Sequence, residues 1–181
     1  MPDEVISVTV QMDGRTFRNF AVFDTFRLRR RWISPVVFAL ILIVFSVACF
    51  LLRDRDQSIL LGCVLMAVGL GLPAVYFGMF HASLRKQASS LRLNPPRTVY
   101  ALTLSRAADG VLIRNTIKAE EELTLSWASL YGAYRVPGCI YLYAAPAKAF
   151  LLPDGQASVS PDALWAFLSE QLGDGRLHDM R

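Results

Sequence analysis

The stretch ISPVVFALILIVFSVACFLL, at residues 33–52, contains no charged residue and decides how the rest of the chain is organised. At about 1.5 Å of rise per residue, a helix of this length reaches roughly 30 Å, the thickness of a bilayer's hydrocarbon core. A second uncharged stretch, ILLGCVLMAVGLGLPAVYFGMF, occupies residues 59–80. We expect two transmembrane helices, joined into an antiparallel hairpin by an external connector at residues 53–58. A pair of buried helices in a soluble protein is the disfavoured alternative.

The composition agrees with membrane spans. Of the 181 residues, 54% are hydrophobic and 19% are charged, whereas an ordinary globular domain has about 25% charged residues. The three cysteines, Cys49, Cys63 and Cys139, lack the spacing of a zinc site or a disulfide framework. Because the first apolar run begins after residue 32 and has no small-residue cleavage site, we expect an uncleaved anchor rather than a signal peptide.

Lysine and arginine are distributed unevenly around the two spans. They are abundant before the first span and after the second, whereas the connector has only Arg53 and Arg55. The positive-inside rule therefore predicts a multi-pass protein with both termini in the cytoplasm.

The sequence FRLRRRW, at residues 26–32, forms a basic run directly before the first span. Basic side chains there meet anionic headgroups, and each contributes about 1 kcal/mol near the surface. Trp32 fits the interfacial aromatic belt, and residues 17–28 have the loose spacing of an amphipathic surface helix. Headgroup anchoring is favoured over nucleic-acid binding, and no nucleic-acid partner is expected. The candidate headgroup-binding and topology-determining residues are Arg27, Arg29, Arg30, Arg31, Arg85, Lys86 and Arg92.

Small residues recur on one face of the second span, where they permit close contact between helices. This candidate helix-packing face consists of Ala67, Gly71, Ala74, Gly78 and Ala82. Packing against the first span is the favoured interpretation, and self-association into a homo-oligomer is the alternative. Pro73 is expected to kink the helix. Neither span contains an ionisable side chain that would serve a transport pathway, so transport is disfavoured.

The chain after the second span changes character. Residues 81–97 continue as a juxtamembrane helix and linker, which Pro95 and Pro96 end. Residues 98–173 contain six short alternating stretches with Gly and Pro turns, which is typical of an antiparallel meander. A helix follows, with Ser160 as its N-cap and Pro161 in its first position. Residues 174–181 are polar, and we expect them to be a flexible tail.

Residues 1–32 supply one more strand before the basic segment. In VISVTVQM, at residues 5–12, apolar and polar residues alternate, as in a half-buried strand. Both termini are predicted on the same side, so this strand is expected to join the C-terminal sheet. The fold class is then membrane α+β: a transmembrane hairpin plus a small antiparallel β-barrel or sheet with a C-terminal helix. Seven strands and one helix are the inventory of a pleckstrin-homology-like (PH-like) domain.

The stretches LTLSWASLYGAYRVPGCIYLYAAPAKAFLLP, from residue 123, and SPDALWAFLSEQL, from residue 160, carry a family resemblance. With the preceding hairpin, they resemble the YcxB-like family of bacterial two-span membrane proteins. The resemblance implies the bacterial cytoplasmic (inner) membrane as the location and a PH-like domain in the cytoplasm. It brings no catalytic or ligand residues to carry over.

The sequence offers few groups for chemistry. His81 and His178 lie far apart in the chain, and no phosphate-binding or nucleophile motif occurs. The three glutamates at residues 120–122 are better explained as a solvated turn than as a metal site, because neighbouring strand residues point to opposite faces. We therefore expect no enzyme, no metal and no cofactor.

The strand-rich half contains a cluster of aromatic residues. Tyrosine is enriched in protein interfaces, so the candidate partner surface is Tyr131, Tyr134, Tyr141 and Tyr143. Packing within a curved sheet is the alternative. The leading functional hypothesis is a membrane-tethered interaction or regulatory module with a protein partner. An anionic-lipid-binding module is the first alternative, and a small transport or channel subunit is the second.

Overall fold

The computed structural model describes residues 5–51, 56–91, 93, 95–106, 110–116 and 122–181. The chain divides into two compact units, which we treat separately. The sheet unit consists of Met1–Phe17 with Leu93–Arg181, and the hairpin unit of Arg18–Arg92. The N-terminal segment thus belongs with the C-terminal half, although the whole hairpin unit separates them in sequence.

The first sheet of the sheet unit has four antiparallel strands in the order β1-β2-β3-β4. These are β1 (Val5–Met12), β2 (Arg97–Ser105), β3 (Gly110–Asn115) and β4 (Glu122–Ser126). The alternation in β1 has the predicted effect, because its apolar residues are buried and the residues between them are exposed. Val8 pairs with Leu102 of β2. The N-terminal strand therefore joins the C-terminal domain, as predicted.

The second sheet has the order β7-β6-β5-β8. Its strands are β5 (Gly132–Val136), β6 (Cys139–Ala145), β7 (Lys148–Pro153) and β8 (Leu177–Asp179). The first three form an antiparallel meander, and Gly138 adopts a φ of 82° in the tight turn between β5 and β6, a conformation that glycine adopts without strain. The six predicted strands between Tyr100 and Pro153 therefore correspond to β2–β7.

A single hydrophobic core contains residues of both sheets and of the C-terminal helix. The helix, α4 (Pro161–Leu172), starts as predicted: the Ser160 hydroxyl accepts a hydrogen bond of 3.2 Å from the backbone N–H of Ala163. Leu168 is fully buried, whereas Trp165 is half-buried at the core boundary. Helix α4 thereby covers apolar residues of both sheets. Its apolar stripe is the sequence signal for this packing.

The two sheets are joined along one seam by the segment that follows β7. The backbone N–H of Ser158 donates to the Ser7 carbonyl oxygen at 2.9 Å. The Gln156 side chain bonds both backbone groups of Gln11, at 2.8 and 3.1 Å. These bonds satisfy the outer edge of β1, which would otherwise be open for pairing with another chain.

Residues 174–181, for which a flexible tail is expected, contain a short strand. A short turn at Asp174–Arg176 leads into β8, which pairs in parallel with β5. The sequence does not signal this strand, because three residues are too few to show a period and the partner strand is distant in the chain.

The hairpin unit contains two long helices and the segment before them. Helix α1 (Gly14–Val22) spans the boundary between the units and continues as a π-helical segment, Phe23–Leu28. The long helices are α2 (Ile33–Leu51) and α3 (Asp56–Ser90). Helix α3 contains Pro73 and continues to Ser90. Its last ten residues belong to the segment 81–97, which is predicted to begin as a helix.

Helices α2 and α3 pack antiparallel through glycines of α3. A Cβ atom on Gly62 would lie 2.9 Å from the Phe50 ring, and one on Gly69 would lie 3.1 Å from Ile43. The buried Ser46 hydroxyl donates a 2.6 Å hydrogen bond to the Gly62 carbonyl oxygen. Close backbone approach therefore defines this contact.

Large apolar side chains on both long helices remain exposed. Only 11% of the most apolar window of either helix is buried, and Val44 and Leu60 are 66% and 72% exposed. Both helices have the length and composition to cross a membrane. A core helix of a soluble protein would be mostly buried, so this pattern favours membrane association.

Candidate interaction surfaces

The predicted tyrosine surface is mostly buried. Tyr134, Tyr141 and Tyr143 are at most 7% exposed, whereas Tyr131 is 52% exposed. An open partner surface made of all four residues is therefore wrong, and the packing alternative is correct for three of them. Strand alternation places Tyr141 and Tyr143 on one face of β6, but it does not reveal that this face is covered.

The buried tyrosines form an aromatic row that ends at the C-terminal segment. The rings of Tyr143 and Tyr134 meet edge to face at 5.3 Å. Tyr134 in turn stacks on the His178 ring at 4.7 Å, because β5 and β8 place these two residues side by side. Burial raises the pKa values of Tyr134 and Tyr141 above the usual range, and that of the neighbouring Cys139 thiol to about 12.

Arg135 is a buried arginine that the sequence analysis did not single out. It is 6% exposed, its guanidinium pairs with Asp162 at the start of α4, and it lies 5.7 Å from the Trp165 ring centroid. The hydrogen bond from Arg135 holds the pKa of Asp162 below its usual range. Arg181 also contacts Asp162, at 3.7 Å. An arginine at an inward position of a strand is the signal that could have indicated a buried ion pair.

Arg176 fixes the start of the C-terminal segment. Its guanidinium donates to four backbone carbonyl oxygens at 3.0–3.4 Å, those of Leu172, Trp127, Ala128 and Leu130. A planar donor with five N–H groups can satisfy several acceptors at once. In the sequence Arg176 lies in a polar C-terminal stretch. No pattern in that stretch indicates that its side chain binds backbone carbonyl oxygens.

The predicted headgroup residues that the structure describes form two groups, one before α2 and one near the end of α3. Arg27, Arg30 and Arg31 are exposed before α2, and Arg85 and Lys86 are exposed near the C-terminal end of α3. Arg29 is half-buried and pairs with Asp24 at 2.9 Å. Arg92 lies outside the described residues.

Aromatic contacts bring the two basic groups to the same end of the hairpin unit. Phe26 stacks on Phe77 at 5.8 Å and meets Phe80 edge to face at 5.2 Å. The Trp32 indole N–H donates to the Phe26 carbonyl oxygen at 3.1 Å. The basic run after Phe26 thus lies beside α3, one to two helical turns before Arg85.

The candidate helix-packing face does not contact α2. Ala67, Ala74, Gly78 and Ala82 are exposed, and no atom lies within 4 Å of a Cβ atom built on Gly71 or Gly78. Packing of this face against the first span is therefore wrong, and self-association remains a prediction. Gly62 and Gly69 make the contact instead, since a spacing of seven residues also keeps two glycines on one face.

Residues that could hold a metal do not gather in the described part of the chain. No group of three or more His, Cys, Asp or Glu residues occurs there. Glu122 pairs with Arg114 across β3 and β4 at 2.7 Å, while residues 120 and 121 lie outside the described residues.

No family model, curated protein or solved structure matches the chain.

Proposed function

We propose that the protein is a membrane-anchored interaction or regulatory module, whose hairpin lies in the bilayer and whose sheet unit binds a protein partner. The observation that carries the anchoring is the exposure of apolar side chains along α2 and α3, of which Leu60 at 72% is an example. Such a surface is unfavourable in water and favourable in lipid.

The pairing of β1 with β2 supports a specific topology. These strands precede and follow the two proposed spans, yet they are neighbours in one sheet. Both flanks of the hairpin must then lie on the same side of the membrane. The exposed Arg27, Arg30, Arg31, Arg85 and Lys86 favour the cytoplasmic side.

The same architecture supports the proposed family and location. Seven strands in sequence order from β1 to β7, followed by α4, agree with a PH-like domain interrupted by a hairpin. The resemblance to YcxB-like proteins and the location in the bacterial inner membrane are part of this proposal, and the architecture is compatible with both.

Anionic-lipid binding is the second candidate, and one observation favours it. The stacking of Phe26 on α3 collects five exposed basic residues at one end of the hairpin unit. Their charges would reinforce one another at a headgroup surface. A transport pathway has less support: among the described residues of α2 and α3, Ser46 is the one buried polar side chain, and its hydroxyl is bonded to Gly62.

Extraction and labelling test the anchoring and the topology. In a chain whose cysteines are replaced by alanine, single cysteines are introduced as Thr9→Cys, Gln57→Cys and Ala147→Cys, all at exposed positions. We expect alkaline carbonate to leave the protein in the membrane. A membrane-impermeant maleimide should label Gln57→Cys in intact cells and the other two only after permeabilisation. Release by carbonate, or labelling of Ala147→Cys in intact cells, would contradict the proposal.

A further inference from the structure

The edge of β5 is covered by a very short strand. One side of β5 pairs with β6 over its whole length, and the other pairs with β8 at three positions, Ala133–Leu177, Tyr134–His178 and Arg135–Asp179. When β8 leaves, the backbone N–H and C=O groups along this edge of β5 lose their partners. The edge of β5 is then accessible to a competing strand.

The C-terminal segment is held tightly at one point and weakly beyond it. A Cβ atom on Gly132 would lie 2.7 Å from the Arg176 carbonyl oxygen, so β5 and this turn approach at a distance that requires glycine. Together with the four guanidinium hydrogen bonds, this contact fixes Arg176. We name residues 177–181, which follow it, the strap.

The strap has its contacts mostly at exposed positions, among them the stacking of His178 on Tyr134 and the ion pair of Arg181 with Asp162 at 3.7 Å. Leu177 is half-buried, and residues 178–181 are exposed. Beyond β8, the Met180 backbone N–H donates to the Arg135 carbonyl oxygen at 2.8 Å. Segments with little buried apolar surface open at a small fraction of the global free energy of unfolding. The strap can therefore leave β5 while Arg176 stays in place.

We propose that the edge of β5 is a binding site for an extended peptide segment of a protein partner, and that the strap is an internal ligand that occupies it. A partner strand would pair with β5 in parallel, as β8 does, and would displace the strap. This is recognition by strand addition, in which main-chain hydrogen bonds supply affinity and alternate side chains supply specificity.

The contacts of the strap define the chemistry of the partner segment. Leu177 packs against the hydrophobic core, so the first position takes an apolar side chain. The second position takes a planar ring, because His178 stacks on Tyr134. The third takes a carboxylate: Asp179 is the ladder partner of Arg135, although its own ion pair is with Arg181 at 3.1 Å and the Arg135 guanidinium pairs with Asp162. The partner segment therefore has the pattern apolar, planar, acidic.

This inference rests on the interaction half of the proposed function and is independent of the anchoring half. Peptide binding can be measured in detergent, whether or not the hairpin enters a bilayer. Failure of peptide binding would leave the carbonate and labelling results standing, and failure of those would leave peptide binding standing.

The test compares the full chain with a chain truncated after Arg176, both in detergent. The probe is a fluorescein-labelled peptide of sequence LHDMR, followed by fluorescence anisotropy. We expect the truncated chain to bind the peptide at least tenfold more tightly than the full chain, because the competing strap is absent. A peptide carrying Leu177→Asp should lose this binding. Equal affinity for both chains, or no binding to a folded truncated chain, would overturn the proposal.

A second pair of variants decides the matter if the truncated chain does not fold. Gly132→Ala in the full chain pushes on the Arg176 carbonyl and loosens the strap, whereas Gly175→Ala meets no atom within 4 Å. We expect amide hydrogen exchange in the strap to be at least tenfold faster than in the β5–β6 ladder. It should rise further in Gly132→Ala and stay unchanged in Gly175→Ala. Strap exchange as slow as that of the β5–β6 ladder in both variants would refute a displaceable strap.

Discussion

The sheet unit and the hairpin unit use apolar residues in opposite ways. In the sheet unit Val8, Leu142 and Leu168 are fully buried, whereas in the hairpin unit Val44 and Leu60 point outward and a serine is buried between the helices. Burial of apolar area stabilises the first unit in water. Close packing of glycines against a neighbouring helix, with one internal hydrogen bond, defines the second. Residue type alone therefore does not say which positions matter for stability, because apolar side chains are buried in one unit and exposed in the other.

The largest expected effect comes from placing a charge inside the sheet unit. Val8→Asp puts a carboxylate among residues of the core without a partner, and we expect it to lower the free energy of unfolding by at least about 3 kcal/mol. Thr9→Asp is the matched control, because Thr9 is exposed on the opposite face of β1. Protease resistance of residues 97–181 in the full chain measures the loss. Equal resistance of the two variants would mean that β1 does not complete the sheet.

A truncation of the same residue type in each unit compares them directly. Leu142→Ala removes a fully buried side chain and is expected to cost about 2–5 kcal/mol. Leu60→Ala removes a side chain that is 72% exposed on α3, so it should change stability in detergent by less than about 0.5 kcal/mol. Thermal unfolding of both variants in the same detergent checks this. A large cost for Leu60→Ala would show that its side chain packs against protein.

Substitutions at two glycines of α3 distinguish the observed packing face, which contains Gly69, from the predicted face, which contains Gly71. Gly69→Leu forces the side chain against Ile43 and the Ala39 carbonyl, and overpacking of this kind costs about 1–3 kcal/mol. A Cβ atom at Gly71 meets no atom within 4 Å, so Gly71→Leu should leave the hairpin intact. Loss of helical signal on heating in detergent distinguishes them. Sedimentation of Gly71→Leu tests the homo-oligomer prediction, which requires this variant to dissociate more readily than the parent chain.

The smallest expected effect is the destabilisation of the sheet unit at pH 9.5, and this effect grows as the pH rises further. Burial raises the pKa of Cys139 from 9.0 to about 12 and also raises those of Tyr100 and Tyr141. The unfolded chain then releases protons at lower pH than the folded one, so stability is complete below pH 9 and falls as the pH rises toward 12. The contribution of Cys139 is about 1 kcal/mol for each pH unit in this window. Denaturant titrations at pH 8, 9.5 and 11 measure it, and Cys139→Ala should reduce the slope.

Much of the fold could be predicted because its signals are periodic and local. The uncharged runs, the alternation in β1 and the cap at Ser160 each depend on residues that are close in sequence. The burial of Tyr141 could not be predicted, because alternation assigns residues to faces but does not say whether a face is covered. The glycine contacts of α3 could not be distinguished from the Gly71 face, since both satisfy helical spacing. The strap was missed because its partner strand is distant in the chain.

The position of β1 also has a consequence for biosynthesis. The ribosome delivers β1 first, but its partner β2 begins about 85 residues later, which corresponds to roughly 4–17 s at ordinary elongation rates. During that interval β1 has no neighbouring strand. Its apolar face, with Ile6, Val8 and Val10, is not yet covered by the rest of the domain. Completion of the sheet then depends on both long helices having left the ribosome and, on the proposed topology, on their having brought the chain back to the side of the membrane on which β1 lies. On the proposed topology, folding of the domain would act as a checkpoint on hairpin insertion, because an incorrectly inserted chain would keep an exposed apolar strand that quality-control proteases can recognise.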